Sequence, residues 1–525
     1  MQQPNITIKD LLDKNKVSYQ ISGDAIVIWC PLCQETDLTG ARVLTFHINP
    51  EGKGGCMKCM AKLEYEALLN KLGITQDVPQ KPKTNPGQTR EAETEPYKAP
   101  TIDTSKFKPL TSEALIDILG ETIKKDDENK LIAFLCELSA YTEDSQLNIS
   151  FNAPSSTGKS YIPTEIAQLF PKEDVIELGY CSPTAFFHDK ASEYKKDSNE
   201  LIVDLSRKII IFLDQPHTQL LAKLRPLLSH DKPIISVKIS DRSQKGGLKT
   251  KNVSLKGFPS VIFCTAGLNI NEQETTRFIL LSPDTNQEKI REAIHQKIRK
   301  ESDKKEYRAL LEAKPERKLL KERILAIKTA HVEDIKICSQ EMVERAFLGE
   351  KKSLRPRHQR DIGRITSLIK SFALLNLWFR EREGSTIIAN EDDIKEAFKV
   401  WDKISESQEL NLPPYIYKLY QEIILLAWED KSQGLTTTGL SRQEIMKKHF
   451  NVYGRTLPDW MLRQEIIPML ENAGLISQEA DPNDKRKMLI YPTAALDSLE
   501  SKNNSESSLR VEVKSSEESG QETIF

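Results

Sequence analysis

Residues Ala153-Pro154-Ser155-Ser156-Thr157-Gly158-Lys159-Ser160 have the types and spacing that hold phosphate. They follow a short apolar run ending at Asn152 and precede a helical pattern over Tyr161–Leu169. A strand, a small-residue loop ending in Gly-Lys-Ser and a helix aim successive backbone N–H groups and a helix N-terminus at one anion. Ser155, Ser156, Thr157, Gly158, Lys159 and Ser160 would cradle ATP, with Lys159 on the β and γ phosphates and Ser160 on Mg²⁺. Ala153 stands where such loops usually begin with Gly, so an ordinary backbone conformation is expected there.

A second acid is needed for the metal. Lys208-Ile209-Ile210-Ile211-Phe212-Leu213-Asp214 is an apolar strand ending in one, and Asp214 would hold Mg²⁺ through water. Gln215 follows, where a Glu would activate water. Gln orients a water but cannot take its proton, so binding is a firmer expectation than fast hydrolysis. Glu165 and Asp204 are the other bases considered. Thr265 and Asn269, at the end of the apolar run from Ser260, are placed to meet a γ phosphate. Arg277 lies between a polar turn and another apolar strand and could reach a neighbouring subunit's phosphate; a surface salt bridge is the plainer role.

Two Cys-x-x-Cys pairs, Cys30/Cys33 and Cys56/Cys59, are separated by 22 residues. Each makes a turn presenting two thiolates, and together they complete a tetrahedral Zn²⁺ site of the zinc-ribbon kind. A purely structural or protein-docking ribbon is the alternative to a DNA-touching one. Cys136, Cys181, Cys264 and Cys338 lie in apolar runs and read as buried thiols. This usage suits a reducing compartment.

The elements that must position these groups follow from composition. A chain of 525 residues suggests about three or four domains. Its net charge of −2 excludes a global basic field, so any nucleic-acid contact is local. No 18-residue apolar run is present, so no membrane span is expected. Met1-Gln2-Gln3-Pro4-Asn5 lacks the basic start of a signal peptide, which makes a cytoplasmic location the expectation. The boundaries read as a zinc ribbon over 1–75, a polar linker over 76–105, an α/β nucleotide core over 106–300, a helical lid over 301–410, a winged-helix unit over 411–495 and a Ser/Glu-rich tail over 496–525. Continuous apolar strands at Ile149–Asn152, Val175–Leu178, Ile209–Leu213 and Ser260–Cys264 suit a parallel sheet covered on both faces. Alternating stretches at Ser236–Ser240 and Asn252–Leu255 surround Gly246-Gly247 and predict a β-hairpin. Arg242, Lys245, Lys249 and Lys251 crowd its tip, where they would grip DNA backbone or serve as solubilising charge. Three helices and a terminal hairpin after Pro413 read as a helix-turn-helix relative.

Residues from about 125 to 400 resemble the AAA+ ATPases of the hexameric helicase group. They look most like the minichromosome-maintenance helicases and the primase-helicases of plasmids and phages. The resemblance rests on Ala153–Ser160, Ile209–Gln215, Val261–Asn269 and Thr276-Arg277-Phe278. It implies an arginine finger at Arg277 acting in trans, although Thr276 replaces the family's Ser. It also implies a lid arginine within Arg360-Asp361-Ile362-Gly363-Arg364, either Arg364 or Arg360. In these helicases a hairpin placed like this one grips DNA in the ring channel. The cysteine segment is similar to the ribbon of bacterial-type primases, which often include a His ligand. The implied activity is an ATP-dependent DNA helicase or translocase, a homo-hexameric ring serving a phage or mobile element. A primase or a replication initiator would be its partner. Two other functions fit the residues: an ATP-dependent DNA-binding regulator or remodeller without unwinding, and a non-motor ATP-binding interaction protein.

Overall fold

Unbroken burial along short apolar strands organises the core. The computed structural model describes residues 102–493 except 180, 183–192, 196–199, 242–248, 267–275, 350–353 and 433–438, with short stretches between 12 and 63. It divides into two units, Met1–Tyr97 and Lys98–Phe525.

In the first unit, five strands form an antiparallel sheet in chain order: β1 (Tyr19–Ser22), β2 (Ala25–Trp29), β3 (Leu44–Ile48), β4 (Gly54–Cys56) and β5 (Lys62–Leu63). Val17–Ile28, whose sequence alternates as a strand pair does, holds β1 and β2, and the alternating Val43–Ile48 holds β3. The sequence also reads as helical over Leu63–Leu72 and Ile6–Asn15; apart from Leu63, which ends β5, and Leu12, these lie outside the described residues.

In the second unit, α1 (Ser112–Gly120) and α2 (Asp127–Ser139) precede β6 (Asn148–Asn152). Then come α3 (Tyr161–Ala167), β7 (Val175–Leu178), β8 (Glu193–Lys195), β9 (Glu200–Asp204), β10 (Ile209–Phe212) and α4 (Thr218–Leu228). β11 (Ile234–Asp241) and β12 (Lys249–Lys256) form the hairpin, followed by β13 (Ser260–Thr265) and β14 (Ile279–Leu281). The main sheet has the order β14-β6-β13-β10-β7, with every pairing parallel. Side chains of a strand alternate between faces. Ile209, Ile211, Ile262 and Cys264 accordingly join α2 and the lid helices in one core cluster. Ile210, Phe212, Val261 and Phe263 join Leu220, Leu221, Leu224, Leu227 and Leu228 of α4 in another. Buried on both faces, these strands need the unbroken apolar runs seen in the sequence.

A second sheet, β11-β12-β9-β8, was not foreseen beyond its hairpin. Val253 and Leu255 of β12 are buried in the α4 cluster and anchor the hairpin's base. Gly257 closes it at φ +87°, where an added Cβ would lie 2.1 Å from the Ser206 hydroxyl. Lys249 pairs with Asp241 and Lys251 with Ile239; the tip with Arg242 and Lys245 lies outside the described residues.

After β14 come α5 (Gln287–Ser302), α6 (Lys304–Ala313), α7 (Pro315–Ala330), α8 (Gln340–Leu348), α9 (His358–Leu375) and α10 (Glu391–Glu409), across the stretch read from the sequence as a helical lid. A small sheet of β15 (Asp334–Ile337), β17 (Thr386–Ala389) and β16 (Glu381–Glu383) lies among them. Gln408, fully buried at the end of α10, accepts from Leu280 N–H at 3.0 Å and donates to its carbonyl at 2.8 Å. That contact satisfies the open edge of β14.

The chain continues through helical pieces Pro414–Leu419, Tyr420–Leu425 and Leu426–Ser432. Arg442–Tyr453 starts with a capping box between Ser441 and Glu444. Consecutive pieces from Asp459–Met461 to Ile467–Asn472 follow, then the hairpin β18 (Ile476–Ala480) and β19 (Met488–Pro492). Leu440 bridges to Ile490 of that hairpin. Among the four scattered cysteines, Cys136, Cys181 and Cys264 are buried; Cys338 is exposed, contrary to expectation, because it follows the edge strand β15.

Candidate nucleotide site and arginine cluster

The loop from Ala153 to Ser160 joins the buried end of β6 to α3. Ala153 is buried and not among the residues with positive φ, whereas Ser156 (+67°) and Gly158 (+94°) are. Gly158 has open space around its missing Cβ, so backbone conformation and not crowding requires glycine there. The Gly158 carbonyl accepts from Tyr161 and Ile162 N–H and starts α3. Thr157 Oγ1 donates to the Pro154 carbonyl at 3.0 Å, tightening the loop from within.

Neighbouring elements hold the loop from behind. Ala153 N–H donates to the Thr265 carbonyl at 3.3 Å. Cys264 Sγ donates to the Lys159 carbonyl at 3.3 Å. Burial pushes the Cys264 thiol up to about 12, with the Lys159 charge opposing and the Asp214 charge assisting, so Cys264 is a packed neutral thiol. Lys289 of α5 donates to the Thr157 carbonyl at 3.4 Å and forms an ion pair with buried Asp126. Asp126 also accepts from Asp284 N–H and Asn129. Burial raises the Asp126 carboxyl above its usual range against the pull of Lys289. Neither Asp126 nor Lys289 belongs to a recognisable motif, and the sequence carried no signal for them.

Asp214 and Gln215 follow β10, beside the end of β13. Asp214 is exposed, and its carboxylate accepts from Gln215 N–H at 2.8 Å. Gln215 Oε1 accepts from buried Thr265 Oγ1 at 3.1 Å. The phosphate loop, Asp214, Gln215 and Thr265 thus meet at the C-terminal ends of β6, β10 and β13, where parallel sheets hold ligands. Asn269 lies outside the described residues. Glu165 is buried in an ion pair with Lys300 at 2.7 Å. Asp204 ends β9 and pairs with Lys256 at 3.5 Å. These engagements place both acids in other structures, so neither is retained as the base.

The arginines lie elsewhere. Arg277 precedes β14, whose Ile279 is level with Ile149 near the start of β6. From there to the phosphate loop is about five or six residues of strand, or ~15–20 Å at ~3.3 Å per residue. Arg277 Nε donates to Ser229 Oγ at 2.8 Å, at the C-terminal cap of α4. Phe278 beside it is fully buried against Phe263. Arg360 donates to Thr276 Oγ1, and Arg364 to the Thr276 carbonyl at 2.7 Å. Arg364 is also paired with Asp361 at 2.9 Å, and burial holds its guanidinium down to about 10. Of the two lid arginines, Arg364 is a buried strut, and Arg360, one turn earlier, is the exposed one. Arg277, Arg360 and Arg364 therefore gather at the N-terminal end of the sheet, away from their own phosphate loop.

In the first unit, β2 and β4 flank β3 and run in the same direction, with Trp29 opposite Leu44 and Cys56 opposite Phe46. Their C-terminal ends share one end of the sheet. Cys56 is buried there; Cys30, Cys33 and Cys59 lie outside the described residues. No group of metal-ligating side chains occurs among the described residues.

No family model matches this chain, and no curated protein matches it. Among solved structures, a full-length MCM homolog from Methanopyrus kandleri is similar at 12% identity, over 74% of this chain and 76% of that one, with a TM-score of 0.35. The second unit has an α/β core, built on a parallel sheet with the Ala153–Ser160 loop after β6. No described helix is long and apolar enough to cross a membrane.

Proposed function

We propose that the chain is an ATP-driven DNA translocase of the helicase type that works as a homo-oligomeric ring, six subunits in the form the resemblance implies. The observation that carries this reading is the separation of the phosphate loop and Arg277 to opposite ends of one sheet. An arginine so placed has no role at its own nucleotide and suits a neighbour's, where charge-assisted contact speeds phosphoryl transfer. Ile290, Ile294 and Ile298 form an exposed stripe on α5, at the spacing of one helix face. That stripe begins beside Lys289 and the phosphate loop, and a second copy would cover it.

In this reading Lys159 and Ser160 hold the triphosphate and Mg²⁺, Asp214 completes the metal site, and Thr265 orients Gln215 toward water. Arg277 and Arg360 enter from the adjacent subunit. The hairpin β11–β12 carries Lys249, Lys251 and the tip residues Arg242 and Lys245 to DNA phosphates. Cys30, Cys33, Cys56 and Cys59 hold Zn²⁺, a reading supported by the shared sheet end of β2 and β4. The helices and hairpin after Pro413 act as a winged helix that docks DNA, a primase or an initiator.

The test is steady-state ATP hydrolysis with and without single-stranded DNA. Lys159→Ala and Arg277→Ala are each expected to be inactive alone. Mixed, they recover part of the activity, because some interfaces then combine an intact loop with an intact arginine. No recovery on mixing would sink the shared site, and no DNA stimulation would sink the motor. A second reading, an ATP-dependent DNA-binding regulator, is favoured by Gln215, which orients water without accepting its proton.

A further inference from the structure

A cavity of about 640 Å³ lies between the end of α3, β7 and the arm formed by α5, α6 and α7. Six lysine and arginine residues line it against three glutamates, an excess of three positive charges. Like charges gathered in this way repel one another, and the repulsion is least screened at the buried Arg317. Arg317 of α7 is the innermost of these cations, with 5% of its surface exposed, and its Nη1 has no hydrogen-bond partner among the described residues. A buried guanidinium N–H left unpaired is destabilising and is relieved by an anionic acceptor. Burial lowers the Arg317 guanidinium below its usual range, and burial together with Arg317 lowers the Lys321 ammonium. Arg308 and Lys304 extend the basic wall outward, and Ala167 and Leu311 supply an apolar one.

We propose that this cavity is a second phosphate-ligand site, separate from the loop at Lys159, and that it takes a free di- or triphosphate compound. The volume lies within the range of small-molecule pockets, about 300–1,000 Å³. A recessed guanidinium matches a terminal phosphate bidentately, whereas a continuous nucleic-acid backbone passes over such a recess without entering it. The charge excess of three is close to that of a di- or triphosphate ester. Nothing in this inference depends on DNA translocation.

The site reaches the helix that follows the phosphate loop through Lys300, which lies over the Tyr161 ring at 5.6 Å. Lys300, on the cavity wall, is paired with Glu165 of α3, the helix that the phosphate loop opens. A phosphate in the cavity competes with Glu165 for Lys300 and so reaches α3 from the side opposite its loop.

The experiment uses the full chain carrying Lys159→Ala, which disables the loop, titrated with inorganic triphosphate by calorimetry. One binding event per chain is expected. Arg308→Gln with Lys321→Gln, both made in that background, is expected to weaken it at least tenfold while melting temperature stays unchanged. These two side chains lie nearer the surface than Arg317, so folding is preserved; Arg317→Gln is a third variant, expected to abolish binding. Absence of triphosphate binding to Lys159→Ala would overturn the proposal. So would equal affinity with and without the Arg308 and Lys321 changes. Stoichiometric displacement of triphosphate by a single-stranded oligonucleotide, lost in the same variants, would overturn it in favour of a nucleic-acid contact.

Discussion

Replacing Asp361 with alanine should damage stability and the arginine cluster together. The Asp361 carboxylate is 2% exposed and accepts from Arg364 at 2.9 Å and from Arg357 at 3.2 Å. Its removal leaves two largely buried guanidiniums without their acid, and breaking such a pair costs about 3–5 kcal/mol. A loss of 1 kcal/mol lowers the melting point of a domain of 150–250 residues by about 2–4 °C. The expected fall is therefore roughly 10 °C by calorimetry. Arg364→Met in the Asp361→Ala background should restore part of it, because an apolar replacement of a buried pair is often near neutral. The cycle should give a coupling energy of about 1 kcal/mol or more. Because Arg364 also holds the Thr276 carbonyl, Arg277 should lose its position and hydrolysis in the assembled state should fall. A melting point lowered by less than about 2 °C, or strictly additive single changes, would refute this account.

Gln215→Glu keeps the acceptor for Thr265 and adds a base, so steady-state hydrolysis should rise at least tenfold, given that general bases contribute about 10²–10⁴; an unchanged rate would show that water activation is not limiting. Lys159→Ala should remove the thermal stabilisation by Mg-ATP, read by scanning fluorimetry, while leaving the unliganded melting point within about 2 °C, as expected of a surface change. Burial lowers the His449 pKa, and His449 Nδ1 lies 3.0 Å from the Arg455 carbonyl. The unfolded chain therefore binds the proton first as pH falls below its ordinary imidazole value, and stability is lost on acidification. Melting from pH 7.5 to 5.5 should fall, and His449→Gln should flatten that dependence; an identical slope would exclude His449 as a contributor. Cys56→Ser should lower zinc content, measured by elemental analysis, from one ion per chain, while purified unsubstituted protein that holds no zinc would end the ribbon reading.

The parts legible in the sequence were those whose chemistry is local. Ile209–Phe212 and Ser260–Thr265 are buried on both faces, so their unbroken apolar runs identified them. The phosphate loop was visible because its neighbours in space are also neighbours in sequence. Lys289 and Asp126 were invisible for the opposite reason: an exposed-looking lysine and an aspartate acquire meaning through each other across the fold. The resemblance leaves Arg364 and Arg360 as alternatives for a lid arginine; burial beside Asp361 sets Arg364 apart, and burial is not written in a motif. Glu193–Lys195 carries too few apolar residues to announce a strand, and the apolar Leu201-Ile202-Val203 is too short a run to announce a sheet. Cys338 sits in an apolar run but at the margin of a three-stranded sheet, where one side remains open.

The grip of Lys289 on the Thr157 carbonyl joins residues 132 positions apart. Contacts of such sequence separation form late, since a long loop must close before they are rewarded. During synthesis, β6 through β14 emerge before α5, so the phosphate loop exists for a time without the lysine that braces it. If the loop holds ATP as proposed, nucleotide capture is among the last properties the core acquires, and bound ATP would mark a chain whose folding has finished.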